Sequence, residues 1–229
     1  MKIDSIDVGE KAREKYPECF GENPKSFNDG HLGGTNTSGD PSKFIHPNVW
    51  GLLVNNFGVK SILDIGCGFG FAIKFIKDNF EGVDVDGVEG SPKVVDLCLF
   101  PDNITQHDYT TGAFVPDKTY DLGWSTEFVE HVEEKYACNF IETFKKCKYV
   151  AFTFASIGQG GHHHVNENTQ EYWVNKMSES NFEFLEKETL ELRDLAVKDM
   201  EQCRGAFPEQ FFIFHFQDRG ILFKNNSLS

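Results

Sequence analysis

Two carboxylates and a histidine stand close together near the middle of this 229-residue chain, as Glu127, Glu130 and His131. If the segment is a helix, positions i, i+3 and i+4 share one face within an arc of about 100°. Carboxylate oxygens and a histidine nitrogen on one face suit Mg²⁺ or Mn²⁺ better than a metal that prefers sulfur ligands. The group is therefore a candidate cation site. The alternative is a purely structural role for Glu130 and His131.

A histidine triplet, residues 162–164, lies further along the chain between two glycines and a Val-Asn pair. It follows a predicted strand, and loops at the carboxyl ends of parallel strands meet at one cleft. We choose His164 as a fourth metal ligand and His163 as the candidate general base, with His131 as a second catalytic candidate. A cation held this way would leave room for two neighbouring oxygens of a diol and would lower the pKa of a hydroxyl, whose proton a free histidine could accept. The alternative is a solvated loop without a chemical role.

A third motif, residues 61–70, joins a short apolar run to glycines at every second position, Gly66, Gly68 and Gly70. Glycine allows the backbone to approach a ligand closely or to adopt positive φ. The spacing is GxGxG after Asp64, which differs from the GxGxxG of dinucleotide sites. The motif predicts a buried strand that leads into a turn for a nucleotide-like cofactor.

Strands and helices alternate around these motifs. Strands are predicted at residues 60–65, 87–89, 103–106, 120–124, 148–155, 182–185 and 220–223, and helices at 43–57, 71–79, 127–146 and around 188–203. This order predicts an α/β fold with a Rossmann-like, doubly wound, mostly parallel seven-stranded sheet and an antiparallel terminal strand. We predict one domain over residues 1–229, with an irregular or helical N-terminal cap (1–42), a core (43–224) and a loose tail (225–229). The cap is expected to close over the acceptor.

The glycine turn, preceded by Asp64 and followed by acids at the next strand ends, resembles the first motif of class I S-adenosylmethionine (SAM) dependent methyltransferases. The likeness runs from about residue 43 to residue 155. It implies that Asp64 and the turn face the methionine part of SAM, that Glu89 accepts hydrogen bonds from the ribose, and that Asp108 meets the adenine amino group. Taken singly, Glu89 and Asp108 are equally consistent with ordinary loop acids. The full predicted cofactor set is Asp64, Gly66, Cys67, Gly68, Glu89, Gly90, Asp108, Tyr109 and Ser125.

The catalytic motifs carry resemblances of their own. Glu-x-x-Glu-His with a later histidine resembles the metal-dependent ribose 2′-O-methyltransferases of small RNAs, and the first part also resembles the catechol O-methyltransferases of ubiquinone synthesis. Residues 160–166 followed by Tyr172 and Trp173 resemble a set of bacterial and viral methyltransferases of small-molecule or sugar type, as do residues 30–34 and 39–41. Trp124, Tyr172 and Trp173 are candidates for stacking on a sugar face, and Trp173 is equally consistent with a core position.

Composition restricts the partners. The chain has 36 acidic and 22 basic residues, a formal net charge of -14, and no long basic stripe, which argues against long nucleic acids but leaves a short RNA end open. We expect a soluble cytoplasmic protein without membrane contact, because the N-terminus lacks an apolar signal core and no apolar run reaches about 18 residues. The six cysteines show no CxxC pairing, which argues against a disulfide framework or a thiolate zinc site.

The sequence therefore predicts a SAM-dependent O-methyltransferase that acts on a hydroxyl of a sugar, a glycan or a similar small polar diol with the help of Mg²⁺ or Mn²⁺. Three alternatives remain open. The first is metal-dependent ribose 2′-O-methylation of RNA, and the second is a metal-free N- or carboxyl-methyltransferase of small molecules. The third is a SAM-binding protein without catalysis. The sequence leaves the oligomeric state open.

Overall fold

The computed structural model describes residues 14–16, 30–32, 45–206 and 216–228, without the side chains of residues 203–206. Residues 33, 34 and 39–41, which belong to the resemblance in the cap, lie outside the described residues. No helix in these ranges is both long and apolar enough to cross a membrane.

Seven strands form one sheet in the order β3-β2-β1-β4-β5-β7-β6. The first five pair in parallel, whereas β7 runs antiparallel to both β5 and β6. The predicted fold class is confirmed. The strands are β1 (Ser61–Ile65), β2 (Asp84–Glu89), β3 (Ile104–Gln106), β4 (Tyr120–Ser125), β5 (Cys147–Phe152), β6 (Phe182–Phe184) and β7 (Ile221–Asn225).

Helices cover both faces of the sheet. They are α1 (Pro47–Phe57), α2 (Phe71–Asn79), α3 (Pro92–Asp96), α4 (Ala137–Phe144), α5 (Gln170–Ser178), α6 (Glu186–Ala206) and α7 (Phe216–Arg219). One apolar cluster joins α1, α2 and α6 to one face, and another joins α4 and α5 to the opposite face. Because both faces are buried, the central strands are nearly continuous apolar runs, which is why the sequence predicted them.

The predicted helix over residues 127–146 is wrong. Two short 3-10 turns, Val129–His131 and Glu134–Tyr136, precede α4. The backbone carbonyl of Glu130, which would continue a helix by accepting from residue 134, instead accepts the N–H groups of Val165 and Asn166 at 2.9 and 3.1 Å. The apolar positions of this segment are still buried, so the helical spacing arose from core packing on an irregular backbone.

Two further expectations fail for reasons of burial. Trp124 and Trp173 are fully buried in the two apolar clusters and present no face for a sugar, so their stacking role is wrong. Asn225, which was assigned to a loose tail, ends β7 and donates from its buried amide to the carbonyls of Lys145 and Cys147. The sheet therefore extends one residue beyond the predicted core.

Candidate active site

The glycine turn after β1 adopts the left-handed backbone that its composition allows. Gly66 has φ 77° and Gly68 has φ 55°. A Cβ atom on Gly66 would lie only 2.7 Å from the ring of Phe128, whereas a Cβ on Gly68 would meet nothing within 4 Å. The first glycine is therefore required by packing as well as by φ, and the second keeps open the space above the turn.

Glu89, at the end of β2, joins the glycine turn to α3. Its carboxylate accepts the N–H of Gly68 at 3.0 Å with one oxygen and the N–H of Ser91 at 2.9 Å with the other. Each oxygen keeps a further lone pair for a ligand. Burial raises the pKa of Glu89, and the backbone hydrogen bonds oppose that rise.

Asp64 gives the site a pH dependence that can be measured. Burial, followed by the charge of Glu89, raises its pKa from 3.8 to about 8. Between these values the folded protein keeps a proton that the unfolded chain has lost, so the free energy of unfolding falls as the pH rises. Between about pH 5 and pH 7, we expect the wild type to lose about 2 kcal/mol more stability than Asp64→Asn, measured by urea unfolding without cofactor. Parallel pH profiles for the two proteins would contradict this assignment.

Asp108 is held by two elements. One carboxylate oxygen accepts from the backbone N–H and the hydroxyl of Thr110, both at 2.8 Å, and the other lies 2.7 Å from Nε2 of His31. Partial burial opposes ionisation, but these hydrogen bonds outweigh it and lower the pKa of Asp108. Beside it, Leu32 packs so closely on Gly90 that a Cβ there would lie 2.8 Å from the leucine side chain. The described turn of the cap, Gly30–Leu32, thus covers the end of the cavity where Glu89 and Asp108 lie.

A single cavity is lined by the predicted cofactor residues Asp64, Gly66, Cys67, Gly68, Glu89, Gly90, Asp108 and Tyr109. Ser125 is not part of its lining: this residue is buried, and its hydroxyl donates to the carbonyl of Ile65 at 2.8 Å. The same cavity continues to Glu127, Phe128 and His131. The glycine turn and the first part of the acid and histidine motif therefore open onto one space.

Glu130, His131 and His164 form a compact cluster, in which one ligand atom from each lies within 4.8 Å of the others. The Glu130 side chain is fully buried, and its carboxyl group is hydrogen-bonded to that of Glu127. Burial, reinforced by the charge of Glu127, raises the pKa of Glu130 far above its usual range. Two buried carboxyl groups in contact repel each other when both are charged, and a bound cation would offset that cost.

The neighbouring groups set the charge of the cluster. Burial raises the pKa of Glu127 to about 7, against the lowering effect of the positive charge of Arg219. Burial, followed by the charge of His164, lowers the pKa of His131 to about 4. Nδ1 of His131 lies 3.2 Å from the carbonyl of His163, so this nitrogen carries the proton and donates it. His131 is then neutral near pH 7 with the lone pair on Nε2, the form that binds metal ions.

The loop with the histidine triplet is docked onto this cluster by its last two residues. The N–H groups of Val165 and Asn166 bind the Glu130 carbonyl, and the buried Asn166 amide donates to the Val129 carbonyl at 3.4 Å. His163 adopts φ 55° and Glu127 adopts φ 54°, an uncommon region for residues with side chains. Strained backbone of this kind is concentrated at functional sites. Three of the four predicted ligands, Glu130, His131 and His164, lie together in this cluster, whereas Glu127 adjoins it through Glu130 and lies on a turn, not on a helix. Their role as metal ligands stays a prediction.

Comparison with known proteins assigns the chain to a class of enzyme. Residues 63–147 match the family model described as a methyltransferase domain. None of the curated proteins compared with the chain matches it. Residues 63–147 are therefore similar to a methyltransferase domain, which supports the predicted class of SAM-dependent methyltransferase. The enzyme class predicted from the sequence is confirmed.

Solved structures show that the fold of the methyltransferase is shared. The plantazolicin methyltransferase BpumL, in complex with a triazolic desmethylPZN analog and SAH, is 14% identical over 81% of this chain and 86% of that chain, with a TM-score of 0.55. Its complex with a pentazolic analog gives 15% identity, 81% and 83% coverage, and a TM-score of 0.54.

The methyltransferase also contains site residues that the sequence did not reveal. Thr126, Phe128 and His107 line the cavity, and Arg219, from the short helix α7, acts on both Glu127 and Glu130 through its charge. The only sign in the sequence that Phe128 belongs to the site was its position directly after Glu127, one of the predicted acids. Arg219 carried none, because α7 comes from the far end of the chain and reaches the cluster only through the fold.

Proposed function

We propose that the methyltransferase transfers the methyl group of SAM to a hydroxyl group of a sugar, a glycan or a similar small polar diol, and that a divalent cation assists. One observation carries this proposal: a single cavity is lined at one end by Asp64 and Glu89 and at the other by Glu127 and His131. The cofactor and the reacting group of an acceptor would then share one enclosed space. Positioning two reactants in this way supplies a large part of the rate enhancement in a bimolecular transfer.

The cofactor end suits SAM. Glu89 has lone pairs left for a ribose diol after binding Gly68 and Ser91, and Asp108 has capacity left for an adenine amino group after binding Thr110 and His31. Asp64 adds a third carboxyl beside the position of a sulfonium cation. The presence of SAH in the BpumL complexes supports this assignment, because those proteins share the fold.

The acid and histidine cluster fits a divalent cation. Glu127, Glu130, His131 and His164 would hold it, because they offer carboxylate oxygens and neutral imidazole nitrogens, which suit Mg²⁺ or Mn²⁺. The specific sign of fit is the contact between the buried carboxyl groups of Glu127 and Glu130, with the nitrogens of two histidines close to Glu130. When bound, the cation would lower the pKa of an acceptor hydroxyl and orient two neighbouring oxygens.

The chain's own groups would handle the proton. His163 is the candidate base, because its Nδ1 is buried without a hydrogen-bond partner among the described residues while its carbonyl fixes His131. A proton leaving the acceptor hydroxyl would be received on an imidazole nitrogen of His163, and the oxygen would then attack the methyl carbon in line with the C–S bond. That bond would break with its electron pair on sulfur, and S-adenosylhomocysteine (SAH) would leave. His131 lines the cavity and is the second candidate for this role if it is not a ligand.

The metal-free alternative also has support from a specific contact. The positive charge of Arg219 already acts on Glu127 and Glu130, so the acidic pair is partly compensated without a metal. In that case the two carboxyls would orient an amine or another polar acceptor. The two proposals differ in their acceptor and in their response to chelators.

An acceptor panel tests the proposal. The purified enzyme, supplied with SAM and Mn²⁺, is incubated with sugars and ribonucleosides that contain a vicinal diol, with their monodeoxy analogues, and with amines and carboxylic acids, and mass spectrometry detects added methyl groups. We expect methylation of diols, a fall of about 100-fold or more for analogues that lack one hydroxyl, and no methylated amines. Methylation confined to amines or carboxylates would overturn the proposal in favour of the metal-free alternative.

A further inference from the structure

A glutamate directly after the histidine loop closes that loop on itself. The Glu167 carboxylate accepts the N–H of Gly158 at 2.8 Å with one oxygen and the N–H of Gly160 at 2.6 Å with the other. The loop between these residues includes no regular secondary structure, so these hydrogen bonds hold its two ends together. The Glu167 side chain is 20% exposed, which protects them from competing water.

The same carboxylate faces a histidine of the cluster. The oxygen that binds Gly160 lies 3.7 Å from Nδ1 of His164, whose side chain is only 8% exposed. Among the described residues, no group other than Glu167 is placed to accept a hydrogen bond from this Nδ1. The ring of His164 lies with its centroid 5.1 Å from that of His131, at an interplanar angle of 77°. His164 is thus placed between a carboxylate and the candidate metal ligands.

We infer that Glu167 is a positioning residue that keeps the proton of His164 on Nδ1 and leaves the lone pair on Nε2 available to the cluster. A neutral imidazole carries its proton on the nitrogen that faces an acceptor, and carboxylates commonly fix metal-binding histidines in this way. His131 is fixed by the same principle through the carbonyl of His163. The role of this lone pair in binding a cation rests on the proposed function, whereas the position of the proton does not.

Gly161 completes the arrangement from the other side of the ring. A Cβ atom there would lie 2.6 Å from both Cε1 and Nε2 of His164, and the residue adopts φ 144°. The preceding Gly160, at φ 66°, has nothing within 4 Å of the corresponding position. The imidazole is therefore enclosed between the Glu167 carboxylate and the Gly161 backbone, and only one of the two neighbouring glycines makes this contact.

The proton position can be measured directly. Long-range ¹H–¹⁵N NMR of the uniformly labelled protein without metal distinguishes the two tautomers of His164, and a His164→Gln sample assigns its signals. We expect the Nδ1–H tautomer in the wild type and a mixture of tautomers in Glu167→Gln. Glu171→Gln is the matched control, because Glu171 is exposed on α5 in the neighbouring segment and should leave His164 unchanged. A wild-type Nε2–H tautomer, or identical spectra for wild type and Glu167→Gln, would overturn the inference.

Binding of Mn²⁺ alone, followed by calorimetry, gives the second measurement. We expect Glu167→Gln to weaken the affinity about 10- to 100-fold and Glu171→Gln to leave it unchanged. Urea unfolding of Glu167→Gln beside the wild type guards against a variant that simply unfolds. Equal Mn²⁺ affinity in Glu167→Gln, Glu171→Gln and the wild type would overturn the role of Glu167. Absence of Mn²⁺ binding by the wild type would instead overturn the metal site of the proposed function, and the NMR result would still decide the proton position.

Discussion

Replacing Glu130 by glutamine is expected to lower kcat by a factor of about 10² to 10³, because the proposed cation, by orienting the acceptor, would contribute several kcal/mol to transfer. The variant keeps the size of the side chain but removes the negative charge at the centre of the cluster. The affinity for SAH should not change, because Glu130 does not line the cofactor cavity. Steady-state kinetics with a diol that the enzyme methylates and calorimetry with SAH measure the two effects separately.

The stability of the same variant should move in the opposite direction. Glu130 is fully buried, and burial holds its pKa well above the usual range, so its charged form opposes folding near neutral pH. Without metal, Glu130→Gln should therefore unfold at the same urea concentration as the wild type or at a higher one. Glu133→Gln is the control, because Glu133 is exposed and pairs with Lys135 at the surface. Equal kcat in both variants would contradict a catalytic cluster centred on Glu130.

The two glycines of the cofactor turn are expected to respond differently to alanine. In Gly66→Ala, the new methyl group meets Phe128 at 2.7 Å and the backbone stays at positive φ, so we expect a loss of about 3 kcal/mol in the free energy of unfolding. In Gly68→Ala only the strain of positive φ remains, and we expect a loss of about 1 kcal/mol. Urea unfolding at one pH compares them.

For cofactor binding we expect the opposite order, with Gly68→Ala more harmful than Gly66→Ala. Gly68 lines the cavity and keeps the space above the turn open, so an added methyl group would occupy part of the volume that SAM needs. We expect Gly68→Ala to weaken SAH binding about tenfold or more even though it folds well. Isothermal titration at a temperature where both variants are folded gives the result. A Gly68→Ala protein that binds SAH as tightly as the wild type would show that the cofactor lies elsewhere in the cavity.

The local sequence was sufficient to predict that Asp64, Glu89 and Asp108 lie together around the glycine turn. The apolar run before Asp64 identified a strand buried on both faces, and the parallel order of strands placed Asp64, Glu89 and Asp108 at one edge of the sheet. The helix Phe71–Asn79 begins and ends at the predicted residues because its apolar spacing and the glycine before it act locally. The contacts with SAM that we assign to Asp64, Glu89 and Asp108 stay predictions.

The features that the sequence did not predict depend on contacts between distant segments of the chain. The segment after Glu127 has helical spacing, but its turn is stabilised by hydrogen bonds from Val165 and Asn166, which periodicity does not reveal. The contact between His31, in the described turn of the cap, and Asp108 likewise joins distant segments. Closure of the cap over the acceptor stays a prediction. Glu167 was overlooked because a single acid after a loop has no distinguishing pattern before its hydrogen bonds are known.

Transfer of a labelled methyl group under control of metal tests the central claim most directly. The enzyme is treated with EDTA, supplied with SAM carrying a ¹³C-methyl group and a vicinal diol found in the acceptor panel, and then given Mn²⁺ in excess of the chelator. The account predicts negligible label on the diol oxygen before Mn²⁺ is added, full transfer after it, and no recovery in Glu130→Gln. Full transfer to the diol in the presence of EDTA would contradict a role for the cation.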